Sequence, residues 1–291
     1  MTTPPSTASA AGPDPSGPAV RWAGPGGDHH VHSTFSDDAV STLADNVAAA
    51  RAAGLTALRL VEHIRESSTW MPDYLVAVAA LRSAQDLPLL DEDDPGGGQQ
   101  TTDLRGPLRV GTGVETKIMD VTGRLDLPTD LPRGQEGFGR ILISDHQFPA
   151  ADGPWTPRRV LEERAAGLSA ADVVDTLVTA MIRAVGRVER GQLAHPFSLV
   201  PKLALGEEDI GDDHLRALAA ACAASATVVE VNEKWACPGP RLLHALTDAG
   251  VVIVASTDSH RADGVGRYRR VLDLTAPASS PGAGESSPGE P

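Results

Sequence analysis

Six of the nine histidines in this 291-residue chain close short apolar runs, each within two residues of a carboxylate, a second histidine or a proline. They fall in the order His30/His32, His63, His146, His195, His260. Along the extended stretch Gly27-Asp28-His29-His30-Val31-His32, alternate side chains share a face, so Asp28, His30 and His32 point one way and His29 and Val31 the other. A His-x-His pair on one face is a two-pronged clamp for a divalent cation. Further donors end the runs Leu58–His63, Val110–Glu115, Ile141–His146, Gln192–His195 and Val251–Asp258, the last continuing to His260. A lone buried histidine is usually a packed core residue. Six apolar runs with polar ends have no such rationale, because each uncompensated polar group in a core costs kilocalories. Histidine, aspartate and glutamate donors without a thiolate suit hydrolytic Zn, Mn or Fe rather than a structural site.

Donors of this kind must be carried by strand tips. Seven strand-like runs are expected, at Asp28–His32, Ala57–His63, Arg109–Thr116, Arg140–His146, Gln192–His195, Val228–Asn232 and Val251–Asp258. Helices are expected over Ser41–Ala53 before Gly54, Pro72–Gln85, Ser169–Arg190 behind a Ser169-x-x-Asp172 capping box, Asp212–Ser225, and Arg241–Ala249 before Gly250. Strands alternating with helices imply right-handed crossovers and a parallel sheet. The first strand lacks the glycine-rich turn of an open nucleotide-binding sheet, and donors from nearly every strand must meet at one point. A closed barrel permits this, since its strand ends surround a single mouth. The expectation is an α/β fold, a distorted (β/α)7 TIM-like barrel of parallel strands.

Residues 1–25 and 276–291, rich in Pro, Ser and Gly, are expected to be disordered, leaving one barrel domain over 26–275. Within it, 91–107 reads as a surface insertion whose acidic run Asp91-Glu92-Asp93-Asp94 is a solvated loop. Acidic residues outnumber basic ones 39 to 25, which argues against a nucleic-acid or anionic-membrane partner. The N-terminal stretch has neither the basic start nor the apolar core of a signal peptide, and no run reaches transmembrane length without a charge. Two cysteines, Cys222 and Cys237, make no disulfide framework, so a cytoplasmic protein with reduced thiols is expected. Cys222 reads as a small buried filler and Cys237 as a loop residue near the site.

Taken in order, Asp28-His29-His30-Val31-His32-Ser33 with Ser36-Asp37-Asp38, then Glu62-His63, Gly113-Val114-Glu115, Asp145-His146, His195-Pro196 and Thr257-Asp258-Ser259-His260 resemble the motifs of the PHP (polymerase and histidinol phosphatase) family. The resemblance spans about Gly27 to Arg267. It implies a distorted seven-stranded barrel, as the strand count does, and a centre of three divalent metal ions. One ion would be held by His30, His32, Glu115 and Asp258; Glu115 would bridge to a second held by His146 and His195; the third would take Asp38, His63 and His260, with Asp37 a rival for Asp38. The implied activity is metal-dependent hydrolysis of a small phosphate monoester, histidinol-phosphatase-like, with hydroxide generated from a shared water. In that reading Asp258 accepts the proton of the nucleophile, and His260 positions phosphate or protonates the leaving oxygen. Two departures alter the surroundings of His63: Glu62 stands where Asp is usual, and Ile64 where a small residue is usual.

A phosphorylated metabolite needs fixed positive charge besides the metals. Arg65, Lys117, Lys234 and Arg261 all fall on expected mouth loops and are the candidate substrate-binding residues. Trp70, Trp155, Phe197 and Trp235 fall in similar loops, lining a leaving-group pocket or covering the rim. His29, His214 and His244 read as structural or surface residues. The rival functions are an amidohydrolase-like C–N hydrolase, a phosphodiesterase or cyclic-phosphate hydrolase, and a non-catalytic metal-stabilised domain.

Overall fold

The computed structural model describes residues 22–93 and 106–275. In chain order its elements are β1 (Gly27–Val31), α1 (Leu43–Ala52), β2 (Ala57–His63), α2 (Met71–Gln85), β3 (Arg109–Lys117), β4 (Arg140–Ser144), β5 (Phe148–Ala150), β6 (Gly153–Trp155), α3 (Pro157–Ala165), α4 (Ala170–Val185), β7 (Gln192–Leu193), α5 (Asp212–Ala224), β8 (Val228–Asn232), α6 (Pro240–Asp248), β9 (Ile253–Ser256) and α7 (Arg270–Thr275). Seven strands form one parallel sheet in the order β1-β2-β3-β4-β7-β8-β9. A parallel bridge between Val31 and Ser259, with the His32 amide donating to the Ser259 carbonyl at 2.8 Å, joins the last strand's exit to the first. The distorted seven-stranded barrel expected from the sequence is the fold. Its distortion lies in the connections: β3 reaches β4 without a helix, and β4 reaches β7 through the β5–β6 hairpin, α3 and α4. No described helix is long and apolar enough to cross a membrane.

Helix ends follow local chemistry. The first helix starts at Leu43 because Thr42 forms a reciprocal capping box with Asp45, the Thr42 hydroxyl accepting from the Asp45 amide at 3.1 Å. Ser169 caps α4 on the Asp172 amide as expected, but α4 stops at Val185 rather than running to Arg190. Val173, Val174, Leu177, Val178, Met181, Ala184 and Val185 form its buried stripe. Four strands end earlier than expected, β1 at Val31, β4 at Ser144, β7 at Leu193 and β9 at Ser256, leaving His32, His146, His195 and Asp258 beyond them. At His195 the reason is geometric, since its φ of 28° leaves the β region and its amide donates to Glu230 Oε1 at 2.7 Å instead of to a ladder.

The tails expected to be disordered lie outside the described residues, except that Trp22 and Ala23 pair with Ile253 and so extend the fold into the 1–25 segment. Most of the 91–107 insertion also lies outside them. Its described start corrects one expectation: Glu92 is no solvated charge. The side chain enters the floor of the barrel and takes Arg59 Nη1 and Nη2, both at 2.7 Å, and Arg140 Nε at 2.8 Å. Arg59 and Arg140 are fully buried, and two guanidiniums held this way need an anion wherever in the sequence it comes from.

Arg59, Val61 and His63 alternate along β2 and therefore share its inner face. Above the arginines, Val61 forms a small apolar cluster with Leu142 and Ala194, separate from the main core between sheet and helices. Gly113 makes room for this layer, since a Cβ there would come within 3.1 Å of Leu142 and 3.2 Å of Val61. His63 and Glu115 stand one step higher, at the mouth.

Glu92→Gln is expected to cost about 3 kcal/mol of stability, because it leaves two buried guanidiniums short of their anion. Burial raises the Glu92 pKa, but Arg59 and Arg140 outweigh it and bring the group from 4.5 to about 2. The folded value lies below the unfolded one, so this contribution is complete above about 4.5 and withdrawn as pH falls towards about 2. Urea unfolding across that interval should show a steeper loss in the wild type than in the variant; parallel curves would contradict it.

Candidate metal centre

Every expected donor comes to the C-terminal mouth of the barrel. His30 and His32 leave the end of β1, His63 the end of β2, Glu115 the last pleat of β3 two residues before its end, His146 and His195 the turns after β4 and β7, and Asp258 and His260 the turn after β9. Glu115 stands at the middle and is fully buried. Its Oε1 lies 3.0 Å from His146 Nε2 and 2.9 Å from His195 Nε2. Its Oε2 faces His63 Nδ1 at 2.9 Å, His30 Nε2 at 3.3 Å and His32 Nε2 at 3.5 Å. Donor atoms within 4.8 Å of one another form three groups: Glu115/His146/His195, His30/His32/Asp258 and His32/His63/His260. Asp38 joins the last, 3.4 Å from His63 Nε2 and 3.2 Å from His260 Nε2. Asp37 does not reach the centre, and its carboxylate lies 3.6 Å from Arg65 at the surface.

The donor set fits divalent cations on two counts. Glu115 Oε2 is buried without a properly directed hydrogen bond, an arrangement that costs free energy unless a cation compensates it. His30 Nδ1 faces Glu230 at 3.1 Å, and His260 Nδ1 faces the Asp258 carbonyl at 2.9 Å, both acceptors; each ring therefore carries its proton on Nδ1 and turns an Nε2 lone pair inward. His30 Nε2 meets His32 Nε2 at 3.0 Å, a separation that needs a proton or a cation between the two nitrogens. At Glu115 and His195 burial disfavours charge, yet mutual attraction wins. Glu115 is held well below the usual carboxylate range by His146 and His30, while His195 is raised to about 10 by Asp145 and Glu115. Such a cluster calls for positive charge at its centre.

Behind the donors stands a layer of buried groups that the end-of-strand pattern misses. Glu230 accepts from His30, the His195 amide, Gln192 Nε2 at 2.8 Å and Asn232 Nδ2 at 2.7 Å. Ser36 Oγ lies 3.2 Å from His32 Nδ1 and donates to Glu62 at 2.7 Å, so Glu62 supports the clamp from behind rather than joining it. Ser198 Oγ lies 3.1 Å from His195 Nδ1 and donates to Asp145 at 2.8 Å. Asp28 does not share the centre with His30 and His32; the β1–β2 register shifts between Asp28 and Val31, and Asp28 accepts from Thr257 and the Gly266 amide instead. Burial raises it to about 6. A polar residue inside an apolar run, as in Val228-Val229-Glu230-Val231, was the available signal for Glu230.

The centre opens into a cavity of about 340 Å³ whose walls include Arg65, Lys117, Lys234 and Trp235. Lys117 lies 3.5 Å from Asp126, and Lys234 lies 3.2 Å from Asp258 Oδ2. Arg261 is the exception among the expected anion binders. Its backbone is extended beside inward-facing His260, which sends its side chain outward to Asp263 at 3.4 Å, along an adjoining groove that shares Lys234, Asp258 and His260 with the cavity. Of the four loop aromatics, only Trp235 lines the cavity. Trp70 packs with Phe35, Tyr74 and Phe138, Trp155 with Phe148, and Phe197 is buried in the core. His29 is buried away from the donors, and His214 and His244 pair with Asp175 and Asp248 on helices. Cys237 is buried, its thiol pushed well up by burial and by Asp145, Glu230 and Asp258.

No family model matches the sequence, and no curated protein sequence is significantly similar to it. Among solved structures, the chain is similar to the histidinol phosphate phosphatase of Lactococcus lactis, crystallised with zinc, L-histidinol and phosphate. The TM-score is 0.53 at 17% identity, covering 81% of this chain and 86% of that one. At that identity the likeness is one of fold.

Proposed function

We propose that the chain is a PHP-type metal-dependent phosphoesterase that hydrolyses a small phosphate monoester. The observation that carries this reading is Glu115, whose two oxygens face different sets of imidazoles at the floor of a cavity walled by Lys and Arg. Three cations, Zn, Mn or Fe, are proposed: one with His30, His32, Glu115 and Asp258, one with Glu115, His146 and His195, and one with Asp38, His63 and His260. Bound there, they would supply an acidified water and neutralise phosphoryl oxygens.

The remaining work falls to side chains. Lys234, Lys117 and Arg65 provide fixed charge for the phosphate dianion. Asp258, which lines the cavity, is assigned to take the proton of the attacking water. His260 holds the rim beside Asp38, where it orients the phosphate or serves the leaving oxygen. The likeness of fold to a phosphatase solved with zinc and phosphate supports the same chemistry.

Metal-stripped protein should be inert towards p-nitrophenyl phosphate, and added Zn or Mn should restore turnover with close to three equivalents bound by elemental analysis. A cyclic phosphodiester and a dihydroorotate-like amide are the discriminating substrates. Preference for either, or turnover that survives chelation, would reject the monoesterase reading.

A further inference from the structure

The loop after β8 builds a second support for the centre. Asn232 pins it at both ends, accepting from the Trp235 amide on its side chain at 3.1 Å while its own amide donates to the Cys237 carbonyl at 2.8 Å. The Trp235 indole stands between Lys202, whose ammonium lies 4.0 Å from the ring centroid, and the His195 imidazole at 5.9 Å. Held this way, its Nε1–H donates to Asp258 Oδ2 at 2.8 Å. Oδ1 of the same carboxylate faces His32 Nε2 at 3.3 Å. Asp258 has a φ of 52°, in the left-handed region that a non-glycine residue occupies only when its surroundings hold it there.

Lys234 shares Oδ2, but on different terms. Its side chain is 42% exposed and lines the opening, and its other contact, 5.4 Å from the Trp235 ring centroid, is a loose one, so it is free to swing to an incoming anion. The indole is instead packed between Lys202 and His195.

We propose that Trp235 is a positioning residue: its indole N–H occupies Asp258 Oδ2 permanently, so that Oδ1 is the oxygen presented to the His30/His32 pair, whereas Lys234 is a detachable partner of the same carboxylate. The inference rests on the metal-centre reading above. It differs from a rim-covering role, in which the ring matters and the N–H does not.

Two substitutions separate the roles. Trp235→Phe keeps a ring and removes the donor; Trp235→Gln removes the ring but places an N–H the same three bonds from Cβ. Zinc affinity is read on the metal-stripped full chain by competition with a chromogenic chelator, beside thermal unfolding of each metal-free variant. Trp235→Phe should weaken one equivalent about tenfold or more, the scale of a lost partner behind a ligand. Trp235→Gln and Lys234→Met should stay near wild type.

The opposite pattern, with Phe tolerated, or equal losses in Phe and Gln, overturns the proposal, as does a loss in Lys234→Met matching that in Trp235→Phe. Should Trp235→Phe fail to fold, the Gln variant decides alone, retained affinity supporting the proposal and lost affinity overturning it. A wild-type chain that takes up no zinc would sink the metal-centre reading and this inference together, whereas normal uptake with an unaffected Phe variant sinks this inference only.

Discussion

Glu115→Gln should lower kcat/KM for p-nitrophenyl phosphate by about a thousandfold or more and strip the protein of most of its metal. The carboxylate faces the inward ring nitrogens on both sides of the cluster, through Oε1 to His146 and His195 and through Oε2 to His63 and His30. A carboxamide of the same shape offers one acceptor and no charge, so it cannot serve both sides. The cations proposed there would supply several kcal/mol of transition-state stabilisation. At about 1.4 kcal/mol per tenfold in rate, that is three orders of magnitude or more. Steady-state kinetics and elemental analysis of the same preparation provide the test, with circular dichroism to confirm the fold. Activity within tenfold of wild type at full metal content would refute the bridging role.

Glu230→Gln should weaken metal binding about 10- to 100-fold without touching a donor atom. The carboxylate is fully buried and serves two ligands on different strands, accepting from His30 Nδ1 at 3.1 Å and from the His195 amide at 2.7 Å. It also takes the side-chain amides of Gln192 and Asn232, so the amide nitrogen of a Gln would face donors on every side. Lost alignment of His30 affects the position shared with His32 and Asp258; a shift at His195 affects the one shared with His146. Neither contact reaches Asp38, His63 or His260. On the proposed three-cation reading, chelator competition should therefore show two equivalents weakened and one retained. Uniform weakening of all three would instead indicate general loosening of the barrel.

The donors could be read in the sequence because each breaks a rule of burial in the same place. His30, His63, Glu115 and His195 are polar groups that close or follow short, largely apolar runs, and no packing argument accounts for them. Glu230 and Glu92 escaped for opposite reasons. Glu230 interrupts an apolar run rather than closing one, with Val231 directly after it, where a reading of run ends does not look. Glu92 sits in an acidic, glycine-flanked run whose composition describes a solvated loop, while its partners Arg59 and Arg140 lie 33 and 48 residues away. Arg261 was placed at the mouth because it follows a donor, yet following an inward side chain in extended backbone is what turns it outward.

What the amino-acid order alone determined is the barrel and which His, Asp and Glu side chains gather at its mouth, since strand periodicity and the cost of burying polar groups act locally. Which donors face one another, which carboxylate stands behind them and which cation reaches the opening were decided only by tertiary structure. Those relations depend on closing β9 onto β1 and on side-chain directions in the turns beyond the strands, where local sequence sets no period.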